Sequence, residues 1–460
     1  MPNTRLTKQQ VTATDRKKFT FSFWFKRGMD DGETEFIYES VNDSSNRFYI
    51  NLLEPSDTLE IINKNSGSNV LLLRTTRAFR DVSAWYHLVL AVDTDQSTAA
   101  DRNKLYINGE RITSFSTETN FSSGVTGAIG TSSFYHTIGG YSGGGAYYAG
   151  SMSFFALVDG TQEVPTIFGE TDSTTGQWKI KANITPSSGW GDNGFLILKN
   201  GNSLTDESTN SNNFALATGT LTATKDCPDN VFVTLNALAI SSYNTLSQGN
   251  LTVAGTTAAN DGKTYSTLVM PNATSKFYWE VKCVANEDTA NPKYGFIQAS
   301  RGFDTSNGTA GTGGTINPSY DVMVRPDGKL IVNDATTGVI IGTWGAGDIL
   351  SFALDSINGA FYVGINGVWQ TSGNPASGAS RTGAIKTWSP TQGGSIGALD
   401  GQAVCLNSYN TGSVSNANFG NGYFGTSAVS SAGTNASDNG IFEYDVPTGF
   451  TALSTKGLNL

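Results

Sequence analysis

Cysteine, histidine and formal charge are all scarce in this chain of 460 residues, which has 3 Cys, 2 His and only 15% charged residues. Cys227, Cys283 and Cys405 stand far apart in sequence, so neither a disulfide framework nor a CxxC zinc pattern is present. The two histidines, His87 and His136, form no HExxH string, and no Walker A loop occurs. No unbroken apolar run is long enough to span a bilayer. The opening MPNTRLTKQQVTATDRKKF carries cations but no apolar h-region, so no Sec-type signal is expected and the chain is expected to be made in the cytoplasm. Acidic residues outnumber basic ones, 39 to 29, for a formal net charge of −10. Such a surface repels phosphate backbones and argues against nucleic-acid binding as the main role. No segment holds a sustained 3.6-residue periodicity, so little helix is expected.

What the chain does have is alternation and turns. In FTFSFWFKRG (residues 19–28) Phe19, Phe21, Phe23 and Phe25 share one side of a period-two segment, and Thr20, Ser22, Trp24 and Lys26 the other. RFYINLL, TLEIIN and VLLLRT follow at short spacing, separated by Asn/Ser/Gly/Asp turns. WYHLVLAVD (85–93) is apolar on both sides, as an inner strand buried on both faces would be. KLYINGERI carries Asn108-Gly109, the pair favoured at a type I′ hairpin turn, where both residues need positive φ. AYYAGSMSFFALVDG (146–160) predicts a further long strand.

Residues 169–240 change character: short strand-like pieces sit in Ser/Thr/Asn/Asp-rich stretches, as in a small connector. A second series of strands follows: NLTVAG, KFYWEVKCVA, YGFIQAS, YDVMVRPDGKLIVND and DILSFALDSINGAFYVGINGVWQ, the last with Asn-Gly turns at 358–359 and 366–367. RGFDTSNGTAGTGGTINP (301–318) and SSAGTNASDNG (430–440) have the composition of surface loops. Many short strands with regular turn signals predict an all-β protein of two β-sandwich domains, 1–168 and 241–460, joined by the 169–240 connector.

The first series resembles LamG-like (concanavalin A-like) jelly-roll domains through FTFSFWFKRG, FRDVSAWYHLVLAVDT, NKLYINGERITSFS and YYAGSMSFFALVDG. The second resembles SPRY domains through KFYWEVK, YGFIQAS, GDILSFALDSINGAFYVGINGVW and NFGNGYF…FEYDVPTGFTAL. Their joining through FGETDSTTGQWKIK and GDNGFLILKNG is similar to a group of bacteriophage virion structural proteins of the tail-fibre or head-fibre type. The polar run SLTDESTNSNNFALATG departs from that group. The resemblance implies a non-enzymatic virion component. It would contact host-surface glycans or other virion proteins, without membrane insertion, as a homo-oligomer such as a trimer. The alternatives are a capsid or tail decoration protein without a receptor role, and a polysaccharide depolymerase.

Several residues are candidates for chemistry. Glu33, Glu35 and Glu39 share one strand face by parity, the arrangement from which glycosidases draw a carboxylate pair, although no Asp lies between the glutamates. The competing expectation is a solvent-facing edge. Asp93, Asp95 and Asp101 could supply oxygen ligands to calcium, which LamG-type domains often carry on one rim. Arg102 and Lys104 offset their charge, and a solvated loop is the alternative. No other cofactor is expected. His87 and His136 are expected to be structural. Tyr141, Tyr147 and Tyr148, on the Gly-rich run YSGGGAYYAG, could stack on sugar rings, or one of them could enter the core. Trp369 is a candidate contact residue in the second domain.

Overall fold

The alternating segments become strands, and the strands form sandwiches. The computed structural model describes residues 3–28, 33–174, 176–199, 203–257, 260–286, 292–299, 308–309, 321–332, 335–390 and 401–459. The chain divides into two compact units, Met1–Ala223 and Thr224–Leu460. The 301–318 loop lies outside the described residues except for 308–309.

The first unit contains β1 (Arg5–Gln9), β2 (Lys18–Lys26), β3 (Glu35–Asp43), β4 (Asn46–Leu53), β5 (Thr58–Asn65), β6 (Ser68–Ala78), β7 (Trp85–Asp93), β8 (Asn103–Ile107), β9 (Glu110–Arg111), β10 (Phe115–Thr119), β11 (Tyr135–Ile138), β12 (Ser151–Asp159), β13 (Gly169–Thr171), β14 (Trp178–Ile180), β15 (Phe195–Ile197) and β16 (Ala215–Thr218), with one short helix, α1 (Ala99–Arg102). The larger sheet runs β10-β6-β5-β4-β3-β11-β1-β16, and the smaller runs β15-β12-β2-β7-β8-β9. Their inner faces enclose the core. Phe19, Phe21, Phe23 and Phe25 of β2 are fully buried there with Phe48, Ile50, Ile61 and Leu73 of the larger sheet. The rings of Phe23 and Phe155 stack at 4.6 Å, and Phe21 and Phe48 at 5.7 Å. Burying each such ring stabilises the fold by about 2–3 kcal/mol.

The outer face of the smaller sheet is buried too. Val89, Ala156 and Val158, with Leu196 of the edge strand β15, pack there against Phe168 and Trp190. Among the described residues β13 and β14 pair only with each other, and Trp178 of β14 reaches His87 of β7. Residues 169–223 therefore complete the first unit, whereas residues 224–240 lie in the second. The stretch read as a connector is divided because its apolar residues are: Phe195, Ile197 and Phe214 enter the first core, Trp190 packs on the smaller sheet, and Phe232 joins a cluster of the second unit.

The second unit contains β17 (Leu235–Ile240), β18 (Asn244–Ser247), β19 (Thr252–Gly255), β20 (Asn260–Ser266), β21 (Lys276–Ala285), β22 (Lys293–Gln298), β23 (Gly308–Thr309), β24 (Asp321–Val324), β25 (Lys329–Val332), β26 (Ala335–Val339), β27 (Ile349–Asp355), β28 (Ala360–Ile365), β29 (Val368–Trp369), β30 (Lys386–Thr387), β31 (Gln402–Tyr409), β32 (Val414–Asn418), β33 (Tyr423–Phe424), β34 (Ser427–Ala428) and β35 (Thr451–Ala452). One sheet runs β17-β20-β31-β22-β24-β25-β26, the other β18-β19-β32-β21-β27-β28-β29. Trp279 stacks on Phe352 at 5.2 Å, and Phe296 meets Phe361 edge-on at 5.0 Å. Phe442, Val446 and Phe450 cover Tyr278, Ala353 and Tyr362 on the outer face of the second sheet.

Candidate functional site

The outer face of the larger sheet in the first unit gathers side chains that neither core needs. A bulge in β3 decides which ones. β3 pairs with β4 as Glu35↔Leu52, Phe36↔Asn51, Tyr38↔Ile50 and Glu39↔Tyr49, with the register shifting between Phe36 and Tyr38. One extra residue is thereby inserted, so Ile37 and Tyr38 both turn into the core. Parity is broken there. Glu35 lies on the side of Leu52, a core residue, and Glu39 on the opposite side with Tyr49. The expected shared face of Glu33, Glu35 and Glu39 is therefore not formed, and Glu33 sits exposed before the strand.

Both strand glutamates are engaged in holding the Gly-rich loop at 141–150. Glu39 Oε2 accepts from the Ser142 N–H at 3.0 Å, and Glu35 Oε1 accepts from the Ala149 N–H at 3.1 Å. Arg5 Nη1 donates to the carbonyls of Tyr141 and Ser142 at 2.7 and 2.6 Å. Phe36 N–H donates to the Ala146 carbonyl at 2.9 Å, and Phe36 forms a bridge with Tyr147. A run of three glycines that would otherwise wander is thus tied to β1 and β3.

The tied loop places aromatic rings together. Phe36 lies 5.3 Å from Tyr141 and 5.5 Å from Tyr49. The Arg47 guanidinium sits over the Tyr49 ring at 4.6 Å and 5.9 Å from that of Tyr141, while its Nη1 donates to Glu39 at 3.3 Å. Cation–π contacts of this kind contribute about 0.5–1 kcal/mol at exposed sites. Tyr141 and Tyr147 stay half-buried at the surface. Tyr148 turns inward, and its hydroxyl donates to the Lys26 carbonyl at 2.8 Å. Burial and the nearby Glu35 raise the pKa of that phenol well above the ordinary value. Of the three loop tyrosines, then, two face outward and one belongs to the core. Tyr135 of β11, a ring that no motif marks, is 45% exposed on the same outer face.

The remaining candidates are dispersed. Asp93 accepts from the Asp95 N–H at 3.0 Å and from Gln96 Nε2 at 2.9 Å. Asp95 pairs with Lys17 at 3.1 Å, and Asp101 pairs with Arg111 at 3.2 Å and Lys104 at 3.6 Å. Lys18 Nζ lies 3.6 Å from Asp93 and 3.9 Å from Asp95, so all three carboxylates are paired with cations of the protein. Among the described residues no group of three His, Cys, Asp or Glu side chains could hold a metal ion.

Both histidines are fully buried. His87 accepts from Trp178 Nε1–H through Nδ1 at 2.9 Å, which leaves its Nε2–H to donate to Ser22 Oγ at 2.8 Å. Burial pushes its pKa down to about 3. His136 meets the Tyr38 hydroxyl at 2.5 Å through Nδ1, and burial, with Lys8 beside it, lowers its pKa to about 3. The string GYSGG at 140–144 has the GxSxG spelling of a nucleophile elbow. Ser142 lies in a loop rather than on a strand-to-helix turn, its N–H serves Glu39, and each histidine is bonded elsewhere. In the second unit, Trp369 is half-buried, its ring 6.4 Å from Tyr278 and nearly perpendicular to it. Trp344 and Trp388 are core residues.

Residues 3–168 match a family model described as the concanavalin A-like lectin/glucanases superfamily. This part of the chain has a concanavalin A-like jelly-roll fold. No curated protein matches the chain. Among solved structures it is similar to a heptameric SAP-like pentraxin from Limulus polyphemus, at 16% identity and a TM-score of 0.27, covering 35% of this chain and 72% of that one. It is similar also to the SPRY domain of human HERC1, at 10% identity and a TM-score of 0.28, covering 40% of this chain and 96% of that one. A third likeness is to the NEUZ (NHR) domain of Neuralized from Drosophila melanogaster, at 11% identity and a TM-score of 0.26, covering 40% and 90%.

Proposed function

We propose that this chain is a non-enzymatic structural protein exposed on a bacteriophage virion, a fibre or adhesion component. Its concanavalin A-like unit binds carbohydrate on the outer face of the larger sheet. The observation that carries this reading is the tying of the 141–150 loop by Glu35, Glu39 and Arg5, which sets the Tyr141 ring beside Phe36, Tyr49 and Arg47. Rigid aromatic rings with polar tips suit sugar faces, and a pre-ordered loop spares the entropy of ordering it on binding. The lectin-type family of residues 3–168 supports the same reading. Use of Glu35 and Glu39 in anchoring speaks for binding rather than hydrolysis. Many copies on a particle would raise avidity through effective concentration, so weak single contacts suffice.

Two measurements test the proposal. Mass spectrometry of purified particles should contain the chain. The purified protein should bind host envelopes, with binding lost in Tyr141→Ala while the fold is retained. Binding to assembled particles alone would assign it a decoration role instead. Release of soluble fragments from capsule or lipopolysaccharide, abolished by Glu35→Gln, would replace the reading with a depolymerase.

A further inference from the structure

The outer face of the larger sheet holds a pair of like charges. Arg47 on β4 stands directly opposite Lys64 on β5 in the register. Like charges so placed repel, and cross-strand pairs of this kind destabilise a sheet. The carboxylates nearby relieve them only in part. Glu39 is shared between Arg47 and the Ser142 N–H. Glu60 is taken by Arg74, whose Nε donates at 3.1 Å. Asp43 accepts from the N–H groups of Ser45 and Asn46 in its own turn, at 2.8 and 2.9 Å. Lys64 has no carboxylate partner among the described residues, and Arg47 Nε makes no hydrogen bond.

The same register extends the row. Tyr135 on β11 faces Val41 on β3, Val41 faces Arg47, and Arg47 faces Lys64. An exposed aromatic ring, an apolar step and two cations thus lie in line across four strands. At the usual spacing between strands the row is ~14 Å long, room for a few sugar units. In a chain of net charge −10, two adjacent and incompletely neutralised cations form a local exception to a surface that repels polyanions.

We infer that the row Tyr135–Val41–Arg47–Lys64 binds an anionic polysaccharide, with uronate-type carboxylates on Arg47 and Lys64 and a pyranose face on Tyr135. The inference rests on the carbohydrate-binding reading above and gives it a substrate class. Arginine offers a planar fork to a carboxylate, and the ammonium a mobile point charge beside it.

Equilibrium binding of the full chain to polygalacturonate, to neutral dextran and to oligodeoxythymidylate tests it. Polygalacturonate should bind, about tenfold more weakly at high salt because exposed charges are screened. Lys64→Glu should weaken that binding about tenfold while the melting temperature holds or rises, since it replaces a repulsive cross-strand pair with Arg47 by an attractive one. Tyr135→Ala should weaken it as well. Binding of dextran alone, or equal binding of both polysaccharides unaffected by Lys64→Glu, would overturn the anionic class and leave the carbohydrate reading standing. Binding of neither polysaccharide would overturn the inference outright. Preference for the oligonucleotide over polygalacturonate would overturn it in favour of a nucleic-acid surface.

Discussion

The indole of Trp178 lies on Gly109, where an added Cβ would stand 2.6 Å from its ring, and from that seat Nε1–H donates to His87 Nδ1. The turn beneath is Asn108-Gly109, with φ of 51° and 80°. Asn108 Oδ1 accepts the His87 N–H at 2.8 Å, closing the hairpin onto the neighbouring strand. The second unit repeats the device. Asn366 Oδ1 accepts the Ile349 N–H at 3.0 Å, and Tyr444 lies over Gly367, 2.7 Å from where a Cβ would be. In each unit an aromatic residue from a covering segment seats on the glycine of an Asn-Gly turn.

Gly109→Ala should therefore cost more than a positive φ alone. An alanine held in the left-handed region costs about 1–2 kcal/mol. Displacing Trp178 also leaves the buried His87 Nδ1 without its donor, about 1–3 kcal/mol more. Gly144→Ala is the control, since φ there is 92° but no atom lies within 4 Å of the new Cβ. Thermal denaturation should show the larger loss for Gly109→Ala, and the melting of the second unit should not move.

The two units should respond to acid in opposite directions. In the first, the folded-state pKa of His87 and of His136 is about 3, against an ordinary 6.5. Between those values the unfolded chain binds more protons, so stability falls as pH drops below about 6.5. The loss is about 2 kcal/mol per histidine by pH 5. Asp159, raised by burial, offsets part of this loss. In the second unit, Glu280 accepts from the N–H groups of Glu443 and Tyr444, from the Tyr278 hydroxyl and from Asn418 Nδ2. Burial outweighs these donors and pushes its pKa up to about 7. Here the folded state binds more protons between about 4.5 and 7, so acidification stabilises, by about 2 kcal/mol from pH 7 to pH 5. Differential scanning calorimetry at the two pH values should show the first transition moving down and the second moving up. Glu280→Gln should flatten the second response.

Glu39→Ala removes the acceptor of the Ser142 N–H and the carboxylate beside Arg47. It should destabilise the first unit by about 1–3 kcal/mol and loosen its loop. Amide exchange should quicken at Ser142, and carbohydrate binding should weaken.

The sandwiches were legible in the chain because period-two alternation reports burial directly. All nine residues of Trp85–Asp93 are buried, as their two apolar faces imply. The Asn-Gly hairpins at 108–109 and 366–367 were legible from turn chemistry. The glutamates were misplaced because parity counting assumes a regular strand, and the one inserted residue in β3 moves Glu39 to the other face. The role of residues 169–223 was hidden because their packing residues, Trp178, Trp190, Phe195 and Phe214, are scattered among polar ones and show no period. Tyr135 was missed for a similar reason. A single exposed ring on a four-residue strand carries no pattern until its neighbours across the sheet are known.

The coverage of the smaller sheet has a practical reach. A fragment cut at residue 168, where the lectin-type match ends, would strip Trp190 from the cluster of Val89, Ala156 and Val158, remove the edge strand β15, and take Trp178 from His87. Its bared sheet would associate with other copies, so the truncated product should be recovered as aggregate. One ending after residue 223 should stay in solution as a monodisperse species by light scattering.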